Sequence, residues 1–199
     1  MTKKRGKKFS IKGEYKQSWK YIKECRNYIY AIISIFFIFV LAGFFIPVPE
    51  TLKNELIKII QELLEETKGF NQRQMIEFIF LNNLKSSFFG VVFGMFFGIF
   101  PVVSSLLNGY LLGFVAFASV NEGGFLILWK LFPHGIFELP AVFISLGMGL
   151  KFGTFIFEKQ KKKKFLEFFW KSLKVFVLII IPLLIIAAII EGTLILKFG

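Results

Sequence analysis

Hydrophobic and polar residues follow one another along this chain in long blocks. Residues 28–46 contain no charged side chain and are followed by a Pro-Val-Pro sequence. An apolar helix of about twenty residues is long enough to cross the hydrocarbon core of a bilayer. Two further long apolar segments occupy residues 134–157 and 174–196. We expect each of these three segments to form a transmembrane helix.

The segment 86–121 is also free of charge, but Pro101 and the sequence SSLLNG at 104–109 interrupt it. This pattern predicts two helices of about fifteen residues joined by a tight turn at SSLLNG. Such helices are shorter than the roughly twenty residues that a crossing usually needs, so a re-entrant or broken element is the alternative. With two crossings here, the chain has five spans.

Amphipathic patterns occur outside these spans. In residues 50–68, leucines and isoleucines recur at helical spacing opposite charged residues, which predicts an amphipathic helix. A second helix should begin at Asn71, where Gln74 three residues later favours a capping box. We expect these two helices to form an outer hairpin packed against the bundle, and a docking surface is the alternative.

The first residues are basic and amphipathic. Ile11, Tyr15 and Trp19 share one face of a predicted helix that also carries several lysines. This pattern is typical of a segment lying on an anionic membrane surface. Anionic lipid headgroups are therefore expected partners of the basic segments.

Composition and charge support a membrane protein. Hydrophobic residues make up 55% of the chain, and 25 Lys and Arg stand against 13 acidic residues. The basic residues flank apolar spans and form no separate module, which argues against nucleic-acid binding. Cys25 is the single cysteine, so no internal disulfide can form.

The distribution of charge predicts the orientation. Basic blocks usually face the cytoplasm, which places the N-terminus inside and, after five spans, the C-terminus outside. We divide the chain into a basic cytoplasmic amphipathic segment, a first transmembrane helix, an external helical loop and a membrane bundle with a basic cytoplasmic loop. The cytoplasmic segment covers residues 1–27, the first transmembrane helix 28–46 and the external loop 47–85. The membrane bundle covers residues 86–199, with its basic loop at 158–174.

Glycines recur at four-residue steps in the bundle. Small residues let helices approach closely in lipid, where packing takes over from the hydrophobic effect as the force between helices. The pattern leaves open whether these faces meet within one chain or between copies in a homo-oligomer. The predicted packing positions are Gly90, Gly94, Gly98, Gly109, Gly113, Gly149 and Gly153.

Two ionisable residues stand in an apolar segment. Pro133 suits the first turn of a helix, so His134 and Glu138 would share one helix face and can pair. A charged carboxylate near the bilayer centre costs on the order of 3 kcal/mol. The first interpretation is a structural polar cluster of Glu138 with His134 and nearby asparagines, and the second is a proton or substrate site. The asparagines are Asn82, Asn83 and Asn108.

The sequence offers little for catalysis. One histidine and one glutamate supply two ligands, whereas zinc sites need three or four. The chain contains no glycine-rich phosphate loop, nucleophile elbow or HExxH motif. We therefore expect no cofactor, no metal and no enzymatic activity.

The sequence PHGIFELPA at 133–141, together with residues 82–101 and 105–113, resembles the stage II sporulation protein M family of integral membrane proteins. The most specific part of the resemblance is a His-Gly-x-x-Glu-Leu-Pro motif. It is matched by His134, Gly135, Glu138, Leu139 and Pro140. Asn83, Gly94, Gly98, Asn108 and Gly109 are similar to other family positions.

The resemblance implies a multi-pass protein that anchors a cell-wall-remodelling complex during engulfment in spore-forming bacteria, while partner proteins cut the wall. Members also occur where no spores form. We therefore expect a scaffold or assembly component in the cell membrane, with other membrane or envelope proteins as partners. A small transporter or channel using the His, Glu and Asn cluster is the alternative.

Overall fold

The computed structural model describes residues 10–46 and 49–198, except for the side chains of residues 52, 129–135, 137 and 196–198. The described residues contain no β-strand, and five helical segments are long and apolar enough to cross a membrane. The predicted all-α polytopic bundle is therefore confirmed. The helices are α1 (Ile11–Glu24), α2 (Arg26–Phe45), α3 (Glu50–Thr67), α4 (Gln72–Val92), α5 (Ile99–Gly123), α6 (Phe132–Gly153), α7 (Lys161–Val175) and α8 (Ile181–Phe198).

The reversal of the chain between α4 and α5 differs from the prediction. The turn lies at residues 93–98, and α5 runs unbroken through SSLLNG. Phe97 and Gly98 take positive φ angles of 58° and 71°, and such a left-handed turn favours glycine. Pro101 lies in the first turn of α5, where its missing N–H group breaks no helical hydrogen bond.

Helix α4 begins where the Asn71 and Gln74 pattern predicts, and it is longer than expected. It starts at Gln72 and runs unbroken to Val92, so the predicted second helix and the predicted span that follows it form one continuous helix within a candidate span. Asn71 caps it as expected: the Asn71 side chain accepts from the Gln74 N–H at 3.0 Å, and the Gln74 side chain accepts from the Asn71 N–H at 2.9 Å. The charged Glu77 and Lys85 lie on exposed positions of this helix.

Helices α2 and α5 pack through glycines. A Cβ atom at Gly109 would lie 2.4 Å from the Phe36 carbonyl oxygen, and one at Gly113 would lie 2.1 Å from the Val40 oxygen. Both are closer than a carbon atom can approach an oxygen without a shift of the backbone. The buried Ser105 hydroxyl donates to the Ile32 carbonyl at 3.0 Å. Close contact and an interhelical hydrogen bond together stabilise such a pair in lipid.

Helix α6 lies at the centre and packs against α2, α4, α5 and α8. Its Gly149 faces the backbone of Gly90 and its Gly153 faces Gly98, while Gly94 lies against Gly149 itself. These contacts, like those of α2 with α5, lie within one chain. Large buried side chains of α6 fill the core around them, namely Leu146, Met148 and Phe152.

The bundle has a basic end, which we define by α1, residues 93–98, the end of α6, and α7. The basic segment predicted as a loop at 158–174 is largely the helix α7, which packs against α1 and buries Phe168 and Ser172. A π-helical turn, Phe176–Ile180, joins α7 to α8 without a break in the helical path. At the opposite end, the Gln72 side chain donates to the Thr193 hydroxyl at 3.0 Å, linking α4 to α8.

Helix α3 stands apart from this packing. Whereas α4 packs along α6 and α8, α3 makes no extended contact with any other helix in the described part of the chain. Its apolar face therefore stays largely uncovered by the described residues.

Candidate functional site

Two of the predicted polar residues are buried on neighbouring helices. Glu138 on α6 is 6% exposed and Asn83 on α4 is 9% exposed, and α4 and α6 pack against each other. Pro140 lies inside α6 two residues after Glu138. Because proline has no N–H group, the Ile136 carbonyl loses its helical donor next to the buried carboxyl group.

Two serines extend this set toward the basic end. Ser87 lies one turn beyond Asn83 on α4, and Ser145 lies two turns beyond Glu138 on α6. Both side chains are fully buried, and their hydroxyl oxygens have no hydrogen-bond partner among the described residues. We call these four residues, Asn83, Ser87, Glu138 and Ser145, the α4–α6 polar group.

The structure places the other predicted site residues differently. Asn82 is exposed, and the exposed Asn108 donates to the Ser104 carbonyl of its own helix at 2.8 Å. Their neighbours Asn83 and Gly109 are buried because they lie on the packed faces of the same helices.

The His-Gly-x-x-Glu-Leu-Pro motif begins in the first turn of α6. Pro133, His134 and Gly135 belong to the first turn of α6, but their side chains lie outside the described residues. The pairing of His134 with Glu138 therefore stays a prediction. Leu139 packs against the core and Pro140 is exposed.

A second polar cluster, at the basic end, was not predicted from the sequence. The Lys151 ammonium lies 4.8 Å from the centre of the buried Tyr21 ring, and that of Lys171 lies 5.4 Å from it. Cation–π contacts of this kind contribute about 0.5–2 kcal/mol, more where the cation is desolvated. The ring of Tyr21 thus connects α1 to both α6 and α7.

Glu24 completes this cluster. Its carboxylate lies 3.9 Å from the Lys151 ammonium and 3.5 Å from that of Lys171, and Lys151 also donates to the Glu24 carbonyl at 3.3 Å. The Tyr21 hydroxyl lies 3.3 Å from the Ser172 oxygen. We call Tyr21, Glu24, Lys151, Lys171 and Ser172 the tyrosine–lysine cluster.

Burial controls ionisation around this cluster. Burial raises the pKa of Tyr21 well above its usual value, so the phenol keeps its proton at neutral pH. Burial likewise raises the pKa of the Cys25 thiol to about 11, against the opposing effect of Lys151. Both groups are therefore neutral, and the charges of the cluster belong to its lysines and glutamate.

The sequence carried only a partial signal for this cluster. Lys151 is a charged residue near the end of an apolar segment, and Tyr21 comes directly after Lys20 in the predicted basic amphipathic helix. The contacts join residues from three distant segments, which no local spacing reveals. Among the side chains that the structure describes, no group of three His, Cys, Asp or Glu residues could hold a metal ion.

Comparisons with known proteins agree with this architecture. The family model for stage II sporulation protein M matches residues 32–194. An uncharacterized protein of Methanocaldococcus jannaschii is 34% identical over 106 residues, which cover 47% of this chain and 44% of that relative. The chain therefore matches less than half the length of this relative. No solved structure matches the chain.

Proposed function

Because the chain belongs to the stage II sporulation protein M family, we propose that it acts as a membrane scaffold for a cell-envelope-remodelling complex. In this proposal the basic end faces the cytoplasm, and α3 and the C-terminus lie outside. The basic blocks at α1 and α7 support this orientation, because cytoplasmic flanks are rich in lysine and arginine.

The uncovered apolar face of α3 is the observation that carries the proposal. Ile59, Leu63 and Leu64 follow one another at helical spacing and are 48–63% exposed. An amphipathic helix needs a second surface to cover such a face. The α3 range contains five glutamates and two lysines, a net charge of −3, so anionic lipid would repel it. A partner protein is therefore the occupant that we propose.

The packing of the bundle supports a scaffold over a conduit. The backbones of α4 and α6 meet at Gly90 and Gly149, and those of α2 and α5 meet at Gly109. Large apolar side chains such as Phe152 fill the core around α6. A transporter needs a polar path that can open, whereas close backbone contacts favour one fixed arrangement.

The test compares substitutions on the apolar face of α3 with substitutions on its charged face. A variant with Ile59→Ser and Leu63→Ser should fold with nearly unchanged thermal stability, because both side chains are about half exposed and α3 makes no extended contact with the other described helices. It should lose the co-purifying envelope proteins in mild detergent and fail to complement a deletion strain.

A matched control removes the ion pair of Lys58 with Glu62 on the same helix. Both side chains are about two-thirds exposed and their charged atoms lie 4.0 Å apart, so the pair contributes about 0–1 kcal/mol. Lys58→Ser with Glu62→Ser changes the same number of residues and keeps the net charge. Equal recovery of partners by both variants would refute docking through the apolar face.

A small proton-coupled transporter is the second candidate. The buried Glu138 favours it, since ionisable residues inside the membrane are often functional. In this case Glu138→Gln should abolish activity in a fully folded protein, while the α3 variants should stay active.

A further inference from the structure

A polar cleft opens between α1 and α7 at the basic end. Its volume is about 250 Å³, somewhat below the range of pockets that hold drug-sized ligands. Lys20, Lys171 and Lys174 line it together with Ser18, Glu24 and Trp170. A small anion or a headgroup fits this volume and these side chains.

Charge strongly favours an anion in this cleft. The α1 range contains four lysines and two glutamates, and the α7 range contains six lysines and one glutamate, so the two helices carry a net charge of +7. The acidic residues already have partners: Glu24, which lines the cleft, contacts Lys171 and Lys151, and Glu14 pairs with Lys174. Lys20 is exposed at the cleft.

Ser18 supplies an independent sign of a ligand. Its side chain is only 2% exposed and lines the cleft, and its hydroxyl has no hydrogen-bond partner among the described residues. A buried hydroxyl without a partner is unfavourable, and such groups usually bind water or a ligand. An anionic oxygen in the cleft would accept this hydrogen bond.

Two tryptophans indicate the depth of the cleft. Trp19 on α1 and Trp170 on α7 are more than half exposed and lie on the helices that lead into α2 and α8. Tryptophan is enriched where the membrane meets water. Lysines, a tryptophan and an unpartnered hydroxyl therefore surround a cleft at the level of lipid headgroups.

We propose that the cleft between α1 and α7 binds a phosphate group, either that of an anionic phospholipid or free phosphate. Lys20 and Lys174 attract the phosphate oxygens, Ser18 donates a hydrogen bond, and Trp170 covers the adjoining apolar part of a lipid. Occupation of the cleft would fasten α1 to α7 beside the tyrosine–lysine cluster.

The experiment uses the full chain in dodecyl maltoside and measures thermal unfolding with three probes. Dioctanoyl phosphatidylglycerol should raise the unfolding midpoint more than dioctanoyl phosphatidylcholine does. A rise with inorganic phosphate alone would identify free phosphate as sufficient, while no rise would assign the site to the lipid headgroup. No response to either phosphatidylglycerol or phosphate would overturn the proposal.

Matched variants locate the binding. Lys20→Gln should weaken the apparent affinity for phosphatidylglycerol up to about fivefold, as expected for one solvent-exposed charge pair. Lys16→Gln removes the same charge from an exposed position of α1 outside the cleft lining and should leave affinity unchanged. Equal weakening by both variants would show diffuse attraction and overturn the site.

Ser18→Ala gives a second, separate measurement. It removes a buried hydroxyl that has no partner in the described chain, so the lipid-free protein should unfold at the same or a higher temperature. Its affinity for phosphatidylglycerol should fall. Wild-type affinity in both Ser18→Ala and Lys20→Gln would overturn the proposal.

Discussion

Replacing Gly94 with alanine should force the turn after α4 away from α6. A Cβ atom at Gly94 would lie 2.2 Å from the Gly149 carbonyl oxygen and 2.4 Å from the Gly149 Cα. Ordinary contact begins near 3.4 Å, so the two backbones must separate by about 1.2 Å. A backbone cannot rotate out of the way as a side chain can.

The expected cost follows from this separation. Inserting a methyl group into a well-packed contact costs about 1–3 kcal/mol. Because Gly94 lies in the turn after α4, alanine regains only part of the roughly 1 kcal/mol of backbone propensity that it would regain inside a helix. A net loss of about 1–2 kcal/mol lowers the unfolding midpoint of a chain of this size by roughly 2–8 °C.

Thermal unfolding in detergent measures this loss, with Gly13→Ala as the matched control. A Cβ atom at Gly13 would lie 3.6 Å from the nearest atom, so alanine fits there and should maintain or raise the midpoint. The double variant Gly94→Ala with Gly149→Ala should lose less than the sum of the single variants, because both push the end of α4 and its following turn away from α6. A Gly94→Ala midpoint equal to that of the wild type would refute the close contact.

Four other outcomes follow from the structure. Glu138→Gln should nearly retain wild-type stability and, on the scaffold proposal, complementation, whereas Glu138→Leu should lose about 1–3 kcal/mol in thermal unfolding because its partners lose their hydrogen bonds. The buried Cys25 thiol, whose pKa is raised to about 11, should react slowly with maleimide at pH 7, because only the thiolate reacts. The reaction should become faster as the pH approaches 11, and rapid labelling at neutral pH would contradict this prediction. In a Cys25→Ala background, Lys68→Cys should react with an impermeant reagent in intact cells and Lys163→Cys only after lysis; the reverse would refute the proposed orientation. Asn71→Ala should lower stability by about 1 kcal/mol through loss of the capping box at α4, and an unchanged midpoint would count against that cap.

Much of the fold follows from local sequence patterns. Uncharged length predicts α2, amphipathic spacing predicts α3, and the Asn71 and Gln74 pair predicts the start of α4. Each signal acts within one or two helical turns. The structure agrees closely at these places because no distant partner has to be known.

The turn between α4 and α5 shows where such patterns fail. The residues of SSLLNG favour turns in water, but in a bundle Ser105 bonds to another helix and Gly109 allows that helix to approach. Gly98 was predicted as a packing glycine, and it also provides the left-handed turn itself. The same four-residue glycine spacing fits a packing contact and a turn, so the sequence alone does not tell these two roles apart.

The two polar groups differ in the same way. Glu138 and Asn83 could be predicted because polar residues in apolar segments are conspicuous. The tyrosine–lysine cluster could not, since charges such as Lys171 look like ordinary topology signals until α1, α6 and α7 are brought together. The basic blocks predicted that these lysines lie on the same side of the membrane, and only the fold shows that the residues of the cluster contact one another.

The packing of α4 has a consequence for the order of membrane insertion. Its candidate span is the least hydrophobic of the five, and the helices that cover it, α6 and α8, are synthesised later. Until α8 arrives, Met75 and Ile79 lack the partner Ala188 that buries them in the finished protein. In a nascent chain that stops before α8, α4 would therefore be only weakly stable in the bilayer. Cellular quality control would recognise such a chain as an incomplete membrane protein.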